Sequence, residues 1–500
     1  MPSANDLVMS WEEWAACDAV ALAGLVARKQ VTPRELARQV AAGVAKMEPK
    51  LDAVLEIFAD VLDNPDIDRP NAGGRLYAVP MFLKDIGSRM KGRLQESGSK
   101  LLKGYVAPET DPLVENFLRA GLVPLGRTTT PEFGMTFDTA TDYLGRRKVT
   151  RNPWNLERTA GGSSGGSAAL VAAAVTPLSM ASDGGGSTRI PASFCGLVGL
   201  KASRGRMPPP RNHSEYTWRI AVEGIVTRSV RDTAAAYDDL TRIPNGGSFI
   251  KMAPPERSYL EAIARPPGRL RVGLSTGKWG RATPVDPQVV ARVRDMARVL
   301  EGLGHAVEEI DDAALCDWDT MWWTYQTQWI MGRAQLRTLA QSRGINGTDL
   351  SAYLNPMTNR HYVAAERYDK FDLWKAIANN NTLTRAFGAA MERWDVLLTP
   401  TLAIRVPAAD GPYGLMRDED FGGWIDRLSD ACRYTMPGNE VGLPGISLPA
   451  GRDDDGLPVG AMLYGNFGRE DVLLALAAQV EQSKPEWFAQ RPPNHVAAGG

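Results

Sequence analysis

The stretch that most restricts how this chain folds is TAGGSSGGSAALVAAAV, Thr159 to Val175. Four glycines and three serines fill positions 161–167, and an alanine-rich, helix-prone run follows. A second cluster, Gly184-Gly185-Gly186-Ser187, closes the segment AVTPLSMASDGGGS. Glycines are gathered this densely where the backbone must turn freely or approach another group closely. The clusters therefore mark loops beside ordered elements, and they raise the question of which serine reacts.

The surrounding pattern is α/β. Thr32-Pro33 followed by Glu35, with Leu36, Val40 and Val44 at helical spacing, predicts a capped amphipathic helix. LYAVPMFLKD, Leu76 to Asp85, reads as a buried strand whose tail, Lys84-Asp85, reaches a functional edge. LVPLGRTTTPEFG supplies another strand and a loop. LRVGL (Leu270 to Leu274), a helix opening at Asp286-Pro287 and ending at Gly304, and AVEEI (Ala306 to Ile310) make a βαβ unit with parallel strands. Val290, Val293, Ala297 and Leu300 give that helix its apolar face. GISLPAG and VGAMLYG flank RDDDGLP as a hairpin with an exposed acidic turn. Length alone, 500 residues, permits two or three domains, but no internal repeat or long low-complexity linker divides the chain. One large α/β unit over residues 1–500 is the expectation.

Composition removes several functions. With 57 Lys+Arg against 58 Asp+Glu and no dense basic run, nucleic acid is not an expected ligand. MPSANDLVMSWEEW lacks the charged and apolar regions of a signal peptide, and no apolar run reaches the ~20 residues of a membrane span, so a cytoplasmic, membrane-free protein is expected. Cys17, Cys195, Cys316 and Cys432 are scattered singly and read as reduced thiols. His213, His305, His361 and His495 show no ligand spacing, so neither a metal nor any other cofactor is expected.

Three readings compete for the glycine-serine run. A phosphate cradle of the Walker type needs a lysine after the second glycine pair, which is absent; GLSTGKW, Gly273 to Trp279, is one residue short. A nucleophile elbow fits Gly161-Gly162-Ser163-Ser164-Gly165, but it then needs an acid and a histidine downstream, and the available histidines sit in unsuitable contexts. The third reading joins both clusters to Lys84. A serine can be deprotonated by a neutral lysine, which at an ordinary pKa of ~10.4 costs about 4 to 5 kcal/mol at pH 7 unless burial lowers it. VPMFLKD supplies apolar surroundings suited to that shift.

GGSSGGSAALVAAAVTPLSMASDGGGSTRIPASFCGLVGLK, Gly161 to Lys201, resembles the signature region of the amidase signature family, and AVPMFLKD resembles its lysine segment. GIVTRSVRD, DVLLTPT and NEVGLPGISLPAG followed by GLPVG extend the resemblance over most of the chain. It implies a single large domain with a central mixed β-sheet covered by helices on both faces. It also implies a Ser-cisSer-Lys triad: Lys84 as base, Ser163 as relay serine after a cis Gly162-Ser163 bond, and Ser187 as nucleophile forming an acyl-enzyme. Gly184, Gly185 and Gly186, with Ser187, then form the oxyanion hole, and Ser164 and Ser167 are structural. Asp183 and Arg189 match a structural ion pair fixing the loop. Gly184 departs from the family, where a bulkier residue is frequent.

The segment with least resemblance, about 311–394, is helical and aromatic-rich. Trp322, Tyr325 and Trp329 share one helical face, with Trp323 and Ile330 on the neighbouring one. Core packing accounts for such rings too. Where relatives vary their pocket, these residues suggest an apolar substrate bound by Trp323, Trp329 and Ile330, with Gly134, Met135 and Thr136 lining the cleft. The resemblance is strongest to bacterial aryl acylamidases, acting on small aryl or hydrophobic amides. Hydrolases of cyclic or linear nylon-type amides and amidotransferase subunits are the alternatives, a scaffold protein lacking the chemistry is a weaker one, and the family's habit implies a homodimer.

Overall fold

In the computed structural model, residues 7–212, 220–244, 248 and 250–498 are described. His213 and the first six residues lie outside them. An eight-stranded mixed sheet runs in the order Ala306–Glu309, Arg271–Leu274, Val396–Pro400, Pro458–Gly465, Gly445–Arg452, Val198–Lys201, Val222–Thr227, Leu178–Asp183. Arg271–Leu274 is parallel to both of its neighbours, and the remaining pairs are antiparallel. Helices cover the sheet, and the mixed α/β architecture expected from the sequence is the one observed.

The local signals explain the elements they flank. Thr32 caps the helix Pro33–Leu51 in a reciprocal box with Glu35, each side chain satisfying a backbone N–H of the other. Asp286 caps Pro287–Gly302, which buries Val289, Val293, Met296, Ala297 and Leu300; Val290 is only half-buried, one position off the expected face. Residues 445–452 and 458–465 pair antiparallel around the turn. Asp454 and Asp455 are exposed there, while Asp453 folds inward and accepts the Leu457 N–H at 2.9 Å. GLSTGKW holds no phosphate-type loop: Trp279 is fully buried and donates to Ser275 Oγ at 2.8 Å.

The lysine strand, Pro80–Lys84, is buried throughout, but it belongs to a separate three-stranded sheet with Val54–Ile57 and Val123–Thr128. It lies beside Leu178–Asp183, the edge of the large sheet, without a backbone ladder between them. Hydroxyl groups bridge the seam: Ser179 Oγ donates to the Phe82 carbonyl at 3.0 Å and Thr176 Oγ1 to the Pro80 carbonyl at 2.7 Å.

The glycine-serine run enters the helix Gly165–Ala172, every residue of which is buried. Close approach dictates glycine here. A Cβ on Gly166 would stand 2.5 Å from Thr129 Oγ1 and 2.7 Å from the Ala53 carbonyl oxygen. Gly161 adds a positive φ of 80°, a conformation costly for other residues. Ser167 Oγ donates to the Met180 carbonyl at 2.7 Å and so ties the helix to the edge strand.

Gly166→Ala is expected to lower stability by about 1–3 kcal/mol through overpacking. Gly388→Ala, at an exposed helix position with nothing within 4 Å of the new Cβ, should raise it by about 0.5–1 kcal/mol. Urea midpoints at unchanged m-value check both signs.

Candidate active site

Lys84 ends its strand almost wholly buried, at 1% exposure. Asp85, next along, anchors that strand end by accepting the N–H groups of Glu96 at 2.8 Å and Gly98 at 3.0 Å and pairing with Arg127 at 2.5 Å. Lys84 Nζ donates to Ser163 Oγ at 2.7 Å and to Ser182 Oγ at 2.9 Å. No carboxylate lies within ion-pair distance of it among the described residues. Burial therefore dominates and pushes the ammonium down to about 7, although the charges of Asp183 and Glu223 pull the other way. The peptide bond from Gly162 to Ser163 is cis.

A cavity of about 320 Å³ opens beside this pair, with Ser163, Ser182 and Ser187 on its wall. Ser187 sits in the loop between the edge strand Leu178–Asp183 and the helix Arg189–Cys195. That loop is braced by the buried ion pair of Asp183 with Arg189, in which Nε and Nη2 each lie 2.9 Å from a carboxylate oxygen. Arg189 also donates to Tyr464 Oη at 2.9 Å and to Asn439 Oδ1 at 2.6 Å. Burial alone would raise the Asp183 carboxyl, but the guanidinium and its hydrogen bonds hold it at about 2. This pair matches the structural role expected of it.

The glycines of the second cluster divide. Gly184 and Gly185 line the cavity with Ser187. Gly186 does not: its N–H donates to Asp183 Oδ1 at 2.6 Å. The expectation that Gly186 offers its N–H to a substrate is corrected on this point, because the carboxylate that fixes the loop already uses it. Tyr325 Oη donates to the Gly184 carbonyl at 2.9 Å and Thr435 Oγ1 to that of Gly185 at 2.7 Å, so both peptide planes are held. A Cβ on Gly185 would stand 2.3 Å from Tyr325 Oη, so a side chain there would have to displace the tyrosine that holds the Gly184 carbonyl.

Of the expected substrate residues, Gly134, Met135, Thr136 and Trp329 line the cavity. Trp323 and Ile330 do not. Tyr325 and Trp329 are four residues apart on one face of the helix Trp318–Met331, whereas Trp323 is rotated by about 200° from Tyr325 and lies under Lys375 Nζ at 4.3 Å. Ile330 turns into the core at 5% exposure, and Trp322 is buried too, donating to the Trp279 carbonyl. The described histidines, His305, His361 and His495, are absent from the cavity wall, which leaves the elbow reading without a base. No group of residues able to hold a metal ion occurs among the described residues.

Three wall residues escaped the sequence reading. Ser182 precedes Asp183 on a strand that alternates small residues, a weak signal for a second lysine partner. Tyr325 belongs to the aromatic helical face, and nothing in the sequence marks it as a brace for the glycine loop. Glu223, directly across the strand pair from Ser182, has a carboxyl pushed by burial up to about 8; Oε2 pairs with Ser88 Oγ and Oε1 is buried without a hydrogen bond.

A family model described as Amidase matches residues 35–474, and the chain belongs to that family, the amidase signature family. It is 36% identical over 489 residues to the 6-aminohexanoate-cyclic-dimer hydrolase of Paenarthrobacter ureafaciens, covering 95% of this chain and 96% of that protein. A solved structure of 6-aminohexanoate cyclic dimer hydrolase complexed with substrate superposes with a TM-score of 0.87 at 32% identity, over 96% of this chain and 98% of that one. A bacterial aryl acylamidase belonging to the amidase signature enzymes is more distant, with a TM-score of 0.83 at 26% identity, over 95% and 99% of the two chains. The protein is an amidase, a hydrolase of amide C–N bonds. No helix among the described residues is long and apolar enough to cross a membrane.

Asp183→Asn leaves the buried Arg189 guanidinium without its anion and should destabilise the fold by about 3–5 kcal/mol. Guanidinium unfolding of the variant checks this, and a loss under 1 kcal/mol would contradict the bracing role.

Proposed function

We propose that this amidase cleaves small aryl or hydrophobic amides through Ser187, with Ser163 and Lys84 as its proton path. The observation that carries the reading is the buried Lys84 Nζ at 2.7 Å from Ser163 Oγ, on the wall of the cavity that Ser187 also lines. Neutral Lys84 takes a proton from Ser163 as Ser163 takes one from Ser187, and Ser187 Oγ attacks the amide carbonyl carbon. The N–H groups of Gly184, Gly185 and Ser187 receive the developing oxyanion; one such donor contributes ~10²–10³ in kcat. Ser163 then passes a proton to the leaving nitrogen, the C–N bond breaks, and water, deprotonated by the same path, hydrolyses the acyl ester.

The apolar wall supports the substrate class. Phe133, Met135, Phe137, Ile190, Trp329 and Leu428 offer rings and aliphatic surface to an aryl or alkyl group. A second reading, hydrolysis of cyclic or linear nylon-type amides, draws support from the 36% identity to a 6-aminohexanoate-cyclic-dimer hydrolase.

Ser187→Ala should remove at least ~10⁴ of the turnover of acetanilide and of the 6-aminohexanoate cyclic dimer; retention of full activity would sink the mechanism. Comparing the two substrates in wild type separates the readings. A base whose pKa is lowered to about 7 is protonated, and idle, below that pH. The acidic limb of kcat/KM should therefore rise with pH and level off above about 7, as a pH-rate profile reads directly.

A further inference from the structure

Arg333 follows the aromatic helix, in the short turn Gly332–Ala334, and lines the same cavity. Among the described residues its guanidinium forms no hydrogen bond and no ion pair, and its Nε is fully buried without a partner. Burial pushes the group down only to about 10, so it stays charged at neutral pH. No acid pairs with it directly among the described residues, and the nearest carboxyl that favours its charge, Glu132, acts only from a distance. Tyr325 is buried and held well above its ordinary pKa, so it is a neutral phenol. Glu132 is raised to about 7 by burial, and its oxygens are engaged elsewhere, Oε1 by Ser99 Oγ at 2.7 Å and Oε2 by the Asn355 N–H at 2.8 Å. His361, packed on Trp329, is held well below its usual range and is also neutral.

A guanidinium whose Nε is buried without a partner, on a wall that mixes apolar rings with neutral polar groups, is costly to keep, and the cost is relieved when an anion arrives with the ligand. The planar fork of donors suits a carboxylate in particular, which it can bind through two parallel hydrogen bonds. We propose that Arg333 is a specificity-determining residue that receives a carboxylate carried by the substrate away from the scissile amide, so that the preferred substrates are carboxylated amides. This rests on the amidase reading of the Ser187 cavity, and it narrows the substrate class from hydrophobic amides to amides with one apolar stretch and one anionic end. Arg333 touches no reacting atom in this scheme; it positions the substrate.

Kinetics and binding test it separately. Glutaranilate and 4-acetamidobenzoate, with the carboxylate on the acyl or on the amine side, are compared with acetanilide in wild type, Arg333→Met and Arg333→Lys. The wild type should prefer one of the two carboxylated anilides, chiefly through KM. Arg333→Met should reduce the charged-to-neutral ratio of kcat/KM at least about tenfold, and Arg333→Lys should restore part of it. An unchanged ratio overturns the proposal, and so does an equal loss on charged and neutral anilides, which would mean that the guanidinium reads a carbonyl. Should the wild type cleave no anilide, calorimetric binding of the same compounds to Ser187→Ala decides. Binding weakened at least about tenfold by adding Arg333→Met sustains the anion site, whereas equal or absent binding rejects it. Thermal unfolding of each variant establishes that it is folded.

Discussion

Desolvation of a single ammonium group governs the arrangement of this molecule's centre. Lys84 can approach neutrality near pH 7 only if water and carboxylates are both kept from contact with it. The fold achieves this by ending a fully buried strand at the lysine and facing it with two serine hydroxyls rather than an acid. Asp85, its neighbour in sequence, is drawn away to Arg127 and to backbone N–H groups. Asp183 is committed to Arg189. Glu223, the carboxyl nearest in the strand pairing to Ser182, is itself so buried that it holds its proton up to about pH 8. Each nearby acid is thus either paired or protonated, so the upward pull of Asp183 and Glu223 only partly offsets the burial that lowers the lysine.

The loop of the second glycine cluster shows the complementary logic. A segment poor in side chains is flexible by itself, and here its rigidity is imported. Asp183 collects the N–H groups of Gly186, Thr188 and Arg189, while Tyr325 and Thr435 each fix one carbonyl. Glycine allows the close approach, and the bracing comes from distant parts of the chain, the aromatic helix and the segment around residue 435.

Local chemistry made much of this legible beforehand. The Thr32 and Glu35 capping box, the Asp286-Pro287 helix start and the hairpin over 445–465 are written in residues a few positions apart, and they form where their spacing places them. The lysine strand and both glycine clusters could likewise be located, and the structure brings Lys84 and Ser163 together across 79 positions of sequence. What was not legible depends on rotation and on long-range packing. Neighbouring helical positions point about 100° apart, so an aromatic-rich helix does not reveal which ring faces a cavity; Trp329 does, and Trp323 and Ile330 do not. The engagement of the Gly186 N–H, the unpartnered Glu223 oxygen and the bare Arg333 guanidinium follow from neighbours that no local pattern names.

The seam between the two sheets has a mechanical meaning. Lys84 and the loop bearing Ser187 stand on strands of different hydrogen-bonded sheets, joined through the hydroxyls of Ser179 and Thr176 and through side-chain packing. Their relative position is a tertiary property rather than a secondary one. A shear of the small sheet against the large one would separate lysine from serine without breaking a single ladder bond, so the chemistry would fail before either sheet began to melt. In such an architecture, secondary-structure content is a poor gauge of competence, and the packing of one sheet edge on another is the true one.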